Sequence, residues 1–515
     1  NICALGLAIR SIDFKAASLV TDDQRAGLYI FGQNRHRSAY DHDGDGYSEI
    51  PKIHGQTIGF RSFLKTTTYS KLTFEYHHME EFRRGGDLLN RPPHEANVAE
   101  QTEHSINGGG LKFDYFSPNE NHRFNVFASA QHINRDSYYG PGDRDPLDAY
   151  GNTTDLNWMA GSQYVYSFGK CIFMPSDLTA GIEFNQDKLE DNMWGYNRTV
   201  DQKVNIGSAF LQNEWKNDHW GFLIGGRLDK HNLIDHVIFS PRANLRYNPT
   251  ENINLRFSYS SGFRAPQAFD EDLHVENVGG NVAMVELADN LKEERSQSLS
   301  ASADIYHRFG AFQVNFLVEG FYTKLSDVFA LTDGEVVDGI LTRTRHNASG
   351  AQVLGLTLEG KMAYLNKIQV QAGVTLQQSH YSKPHIWNKE APAVKKMMRT
   401  PNTYGYFTAT YTPIKPLSIA LSGTYTGSML VPHEPVPGFL ENPITVNTKD
   451  FFDIGLKAAY DFKLYKSMNL QLNAGIQNIF NAYQDDFDKG ADRDSGYIYG
   501  PSLPRSFFAG VKISY

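Results

Sequence analysis

The chain has 515 residues, a formal net charge of −9 and an apolar share of 40%. No run approaches the ~20 consecutive apolar residues that a membrane-spanning helix needs, so a helical membrane protein is excluded. The acidic balance gives no reason to expect nucleic acid as a partner, and the 2 cysteines exclude a disulfide framework.

A membrane barrel stays open, because strands that alternate apolar and polar residues average out as polar. Aromatic residues are 13% of the chain, an enrichment that suits interfacial girdles. At the start, Asn1–Arg10 is briefly apolar but lacks the basic flank and cleavage site of a signal peptide, which reads as a mature or truncated sequence. Residues 1–25 are expected to be the remnant of one or more N-terminal strands, with one near Ile12–Val20. Residues 26–515 are expected to form the barrel.

The first loop carries Asp41-His42-Asp43-Gly44-Asp45-Gly46-Tyr47-Ser48-Glu49. Carboxylates at alternate positions around a glycine-assisted turn can converge on a hard cation, and Ca²⁺ takes oxygen ligands. The closing glutamate comes too early for an EF-hand loop. The expectation is a calcium site on Asp41, Asp43, Asp45 and Glu49, weighed against a solvated acidic turn. His77 and His78 fall on a strand and point to opposite faces.

From there the alternation is monotonous. Phe124, Val126, Ala128 and Ala130 alternate with Arg123, Asn125, Ser129 and Gln131. Ile253, Leu255, Phe257 and Tyr259 alternate with Asn254, Arg256, Ser258 and Ser260; Ile368, Val370, Ala372, Val374 and Leu376 alternate with Gln369, Gln371, Gly373, Thr375 and Gln377. Leu470, Leu472, Ala474 and Ile476 follow the same rule, and the last strand puts Phe507, Ala509, Val511, Ile513 and Tyr515 on one face. Many of these segments are longer than the five or six residues usual in a soluble sandwich and match a tilted bilayer crossing.

Short turns at Ser117–Asn121, Asn248–Glu251 and Pro413–Pro416 use Pro and Asn for their dihedrals. Long polar loops are expected at 85–104, 138–156, 264–293, 325–347, 382–402, 428–450 and 482–504. Short turns on one rim and long loops on the other are the asymmetry of a bacterial outer-membrane barrel, with about twenty strands from Ala26 onward and one more before it. The fold class is therefore all-β, a transmembrane antiparallel barrel. Arg83, Arg84 and the loop arginines Arg343 and Arg345 are candidates for an anionic ligand or for lipopolysaccharide phosphates, and Arg264 is a further ligand-loop candidate. Tyr497 and Tyr499 are candidates for stacking on a planar ligand, although rim aromatics also serve as interfacial anchors. Asp485, Asp486, Asp488, Asp492 and Asp494 read as a solvated acidic loop, with cation binding as the alternative, and Asp270, Glu271 and Asp272 read the same way.

Three segments carry a family resemblance. Ser261-Gly262-Phe263-Arg264-Ala265-Pro266 resembles the FRAP-containing strand end of TonB-dependent outer-membrane receptors. Asn290-Leu291-Lys292-Glu293-Glu294-Arg295-Ser296 is similar to their NPNLKPE-x-S segment, with Asp289 and Glu293 where prolines stand in the family. Asn473–Asn481, followed by Tyr499-Gly500-Pro501 and Pro504–Phe508, resembles their closing motif. The resemblance implies a 22-stranded barrel, of which 20–21 strands are present, and an N-terminal plug that is missing from this chain. It further implies energised import of a scarce bulky nutrient through the periplasmic partner TonB. A ferric siderophore leads, with haem or cobalamin as alternatives and a surface lipoprotein as a further partner. His274 lies where haem receptors of the family use a histidine, and imidazole can ligate iron. General porins lack the FRAP-like segment. No G-x-S-x-G, H-E-x-x-H or Ser/His/Asp grouping is present, so catalytic residues are not expected.

Overall fold

Alternation of side chains across a strand leaves one apolar and one polar face, and the backbone must then find its hydrogen bonds sideways. The computed structural model shows this carried through the whole chain. It describes residues 9–15, 19–141, 145–269, 273, 282–337, 340–465, 467–501 and 503–514. The main sheet holds 23 strand segments. Leu19–Val20 continues Ile9–Lys15 against the same partner, Ala26–Arg37, and Val394–Lys396 is a short ribbon on the loop end of Ile368–His385, which leaves 21 successive strands. Each pairs antiparallel with the next, from Ile9–Lys15 to Ser506–Ser514. Among the described residues these two outermost strands are not paired with each other.

The apolar faces do not pack against one another. Ile58, Ile182 and Ile224 are 61%, 63% and 62% exposed at mid-strand, and Phe507, Val511 and Ile513 of the last strand are exposed as well. A soluble sandwich would bury these faces in a dry core. The two clusters of buried apolar residues found here, one around Tyr138, Met193 and Tyr196 and one around Met429, Val431 and Tyr497, lie at the loop end. The opposite face is polar and hydrogen-bonded. Tyr406 donates to Glu359 at 2.5 Å, Gln371 donates to Tyr406 at 2.6 Å, and Lys361 pairs with Glu359 at 2.6 Å.

Glycines on this sheet admit aromatic rings from neighbouring strands. A Cβ on Gly59 would stand 2.5 Å from Phe31 and 2.8 Å from the Tyr76 carbonyl, and one on Gly27 would stand 2.2 Å from Phe63. Gly27 faces Phe63 and Gly59 faces Phe31 in the same ladder, so two rings cover two glycines reciprocally.

Two expected loops are shorter than the alternation suggests. About half of each of the segments 85–104 and 138–156 is strand, because Ser70–Gly86, Val98–Phe116, His122–Pro141 and Tyr150–Cys171 continue far above the apolar band. Both faces there are polar, so no alternation marks the strands, yet the ladder hydrogen bonds persist. The loops at 264–293 and 325–347 also hold structure. Val282–Leu287 pairs parallel with Ile340–Asn347, which pairs antiparallel with Phe329–Val337. Leu430–His433 and Ile444–Asn447 form a hairpin in the 428–450 loop.

Candidate functional site

The long loops and the strand ends beneath them enclose a cavity of about 1120 Å³. Its wall includes Met79, Glu81 and Arg83, Ile133 and Arg135, and Thr153 and Asp155. Those residues share one parity on each strand, opposite to exposed apolar residues such as Phe74, Val126 and Leu156, which identifies the inner face. Ala268, Phe269 and Leu273 enter from the loop after Pro266, and Phe487 to Ile498 from the last loop.

The acidic turn closes one side of the cavity. Ligand atoms of Asp41, Asp43, Asp45 and Glu49 all lie within 4.8 Å of one another. Gly44 and Gly46 take φ of 77° and 94°, a left-handed backbone that glycine adopts without strain. Their N–H groups donate to Asp41 at 2.7 and 2.9 Å, and the His42 N–H donates to Glu49 at 2.5 Å. Asp43 Oδ2 is buried without a hydrogen bond; its nearest cation is Lys489, at 3.7 Å.

The last loop locks onto this turn. Gly490 N–H donates to Asp45 at 2.7 Å, and Arg493 lies 3.8 Å from Asp45 with its guanidinium 5.4 Å from the Tyr47 ring. His42 stacks on Tyr483 with centroids 3.7 Å apart. Within the last loop, Tyr497 stacks on His433 at 3.8 Å, and His433 meets Asp488 at 2.8 Å in a buried pair. Both Tyr497 and Tyr499 donate to Asp486, at 2.9 and 2.7 Å. Burial, and then the Asp486 hydrogen bond, push both phenols above their ordinary range. Burial likewise raises the Asp494 carboxyl.

The residues singled out from sequence therefore divide. The four carboxylates converge. Tyr497 reaches the cavity, while Tyr499 packs behind it near Phe451 with centroids 6.0 Å apart. Arg264 ends its strand with its guanidinium 4.1 Å over Phe269 and 5.6 Å over Phe329, and Arg345 approaches both rings at 5.9 Å. Arg264 thus supports the floor of the loop that reaches the cavity. Arg343 pairs with Glu434 at 2.9 Å. His274 and Asp270 to Asp272 lie outside the described residues. The two resemblance segments stand side by side, since Arg264 faces Glu294 at the top of one ladder. Glu293 is buried beside them and accepts from Arg295 at 2.7 Å and meets His236 at 3.0 Å. Sequence reading missed Glu81, Glu100, His104, Arg135, Asp155 and Asp187 in the wall. The signal available was their parity: each shares its strand's polar face.

A family model described as TonB dependent receptor-like, beta-barrel matches residues 17–479. No curated protein matches. Among solved structures, the siderophore receptor PirA from Acinetobacter baumannii is similar with a TM-score of 0.74 at 14% identity, over 99% of this chain and 78% of that one. A mutant of the ferric enterobactin receptor PfeA from Pseudomonas aeruginosa gives 0.73 at 14%, over 98% and 77%. The ferric-catecholate import receptor Fiu from E. coli K12 gives 0.70 at 13%, over 98% and 79%. At these identities the likeness is one of fold.

Proposed function

Because this chain belongs to the TonB-dependent receptor β-barrels, a family of outer-membrane transporters and not of enzymes, we propose that it forms the barrel of an importer of siderophore-bound iron in the outer membrane of a Gram-negative bacterium. The observation that carries the reading is the cavity of about 1120 Å³ at the long-loop end, walled by polar strand ends and loop aromatics. Pockets for small ligands run about 300–1,000 Å³, so this one suits a bulky chelate. Receptors of this family bind siderophores and interact with TonB, and energised gating would draw on that partner. Lipopolysaccharide and a surface lipoprotein are proposed as further contacts of the loops. Cobalamin and haem are the alternative cargoes. Growth of a deletion strain on single iron or cobalamin sources tests the reading: loss of growth on an iron chelate supports it, and loss confined to cobalamin or haem replaces it.

The acidic turn is proposed to hold Ca²⁺. Four carboxylates converge there, and the buried, unbonded Asp43 Oδ2 is an oxygen that a hard cation would satisfy. Such an ion would fix the loop that the Arg493 segment grips and would take no part in chemistry.

A further inference from the structure

The wall of the cavity has a charge, and it is negative. Four carboxylates come from strands: Glu81, Glu100, Asp155 and Asp187. Three more come from the loops and the strand end beneath them: Glu49, Asp488 and Asp494. Against these seven carboxylates stand three guanidiniums among the described residues, Arg83, Arg135 and Arg493, and no lysine.

Each guanidinium already has a carboxylate. Arg83 donates to Glu81 at 2.6 Å, Arg493 to Glu49 at 3.0 Å, and Arg135 lies 3.5 Å from the buried Asp191 while donating to Thr153 at 3.0 Å. Asp191 is outside the cavity lining but on the same inner face, beside Thr153 and one step nearer the loop end than Leu189, so Arg135 is held from the loop side of the wall. The cations that would meet an anionic guest are thus committed to the protein. Asp155 and Asp187 stand on adjacent paired strands of the wall, near the same height, where Asp155 faces Leu189 and Asp187 faces Asn157 and accepts from its amide at 3.3 Å.

A cleft with low-dielectric walls and one sign of charge focuses its field on whatever enters. Like charges brought together across an interface oppose binding strongly. Apolar surface from Ile106, Ile133 and Phe487 remains available to an uncharged organic shell. We infer that the cargo of this cavity is a metal chelate without net negative charge, neutral or cationic, and not a polyanionic complex of the ferric tris-catecholate kind. The inference rests on the importer reading above and narrows it by chemistry.

Binding of three iron chelates to the intact gene product tests it, measured by tryptophan fluorescence at low and at physiological salt. The probes are a trianionic tris-catecholate, a neutral cyclic tris-hydroxamate, and a linear tris-hydroxamate bearing a free ammonium. The expected order is cationic and neutral ahead of trianionic, by roughly tenfold or more at low salt, with the gap narrowing as salt rises. The double variant Asp155→Asn, Asp187→Asn is expected to weaken the cationic chelate by about five- to tenfold and to strengthen the trianionic one, so that the shifts follow ligand charge. Asp155→Glu with Asp187→Glu, which keeps the charge, restores the wild-type order and shows that the effect is not misfolding. Tightest binding of the trianion, or shifts in the Asn variant that do not follow ligand charge, would overturn the inference while leaving the importer reading in place. Failure of all three chelates to bind overturns both.

Discussion

Arg493 Nη1 stands 3.0 Å from Glu49 Oε1, although 444 positions separate the two residues. Glu49 lies at the start of the third strand of the meander and Arg493 in the loop before the last strand, so this contact ties the two ends of the sheet together above the apolar band. The Glu49 side chain is 3% exposed and Arg493 is 17% exposed, which makes the pair a buried one. Removing one member of a buried pair leaves a desolvated charge. For Arg493→Ala we expect local opening of the last loop to become easier by about 2–3 kcal/mol. Faster proteolytic cleavage within 481–505, with the barrel intact by heat-modified mobility, checks it. A double-mutant cycle with Glu49→Gln should show that the two effects are not additive.

The acidic turn gives a metal-dependent outcome. If Ca²⁺ sits among Asp41, Asp43, Asp45 and Glu49, chelator treatment will expose the turn to protease, and millimolar Ca²⁺ will protect it. Asp43→Asn should abolish the difference by removing the carboxylate whose Oδ2 has no hydrogen bond. Equal cleavage with and without the ion would show that Lys489 and Arg493 alone balance the turn.

The exposed apolar band makes a directional prediction. Ile224 lies mid-strand on the outer face and is 62% exposed. Gln212 faces Gly225 in the next strand, at nearly the same height but on the inner face. Ile224→Arg should destabilise the folded barrel by about 2–4 kcal/mol in a bilayer, whereas Gln212→Arg should cost far less. Urea titrations in liposomes read both. Equal costs would contradict a lipid-facing surface.

Gly59 tests the packing of aromatic rings over glycine. Valine there would push into Phe31 and the Tyr76 carbonyl, and the backbone atom cannot move aside cheaply. Gly59→Val is expected to lower stability by about 2–4 kcal/mol. The companion variant Phe31→Ala with Gly59→Val should recover part of the loss, because the contacts with the Tyr76 carbonyl at 2.8 Å and the His77 Cβ at 2.9 Å then remain.

Glu293 sets an acid limit. Burial raises its carboxyl, but the Arg295 hydrogen bond and charge outweigh it, and the net direction is downward. A depressed carboxylate contributes stability that is present above its unfolded value and is lost as pH falls through the folded one. Loop stability should therefore stay level from neutral pH to the upper edge of the ordinary glutamate range and decline below it. Glu293→Gln should flatten that decline in a melt series.

Much of this fold was legible because a bilayer imposes a period. Where strands such as Ile253–Arg264 and Ile368–His385 cross the apolar band, the outer face must be oily and the inner face wet, and the sequence alternates accordingly. Above the band both faces are wet, so Val98–Glu103 and Asn152–Asp155 carry no period, although hydrogen bonds keep them in the ladder. The parallel pairing of Val282–Leu287 with Ile340–Asn347 was equally silent, since its partners come from two different loops. In the site, the convergence of Asp41 to Glu49 was readable because it is local. Its grip by Arg493 was not, because nothing in either segment names a partner so distant in sequence. Tyr497 and Tyr499 are candidates by sequence for stacking on a planar ligand, and the structure shows their hydroxyls turned to Asp486.

The two outermost strands have a directional consequence. Ile9–Lys15 runs from the long-loop rim toward the short-turn rim, and after the 20 antiparallel steps that join the 21 strands Ser506–Ser514 runs the same way. Zipping these margins straight together would create a lone parallel rung in an otherwise alternating hoop. One intervening ribbon of opposite polarity would instead make every neighbour alternate. Hydrocarbon gives a bare margin no water to bond, so its amides and carbonyls demand a mate.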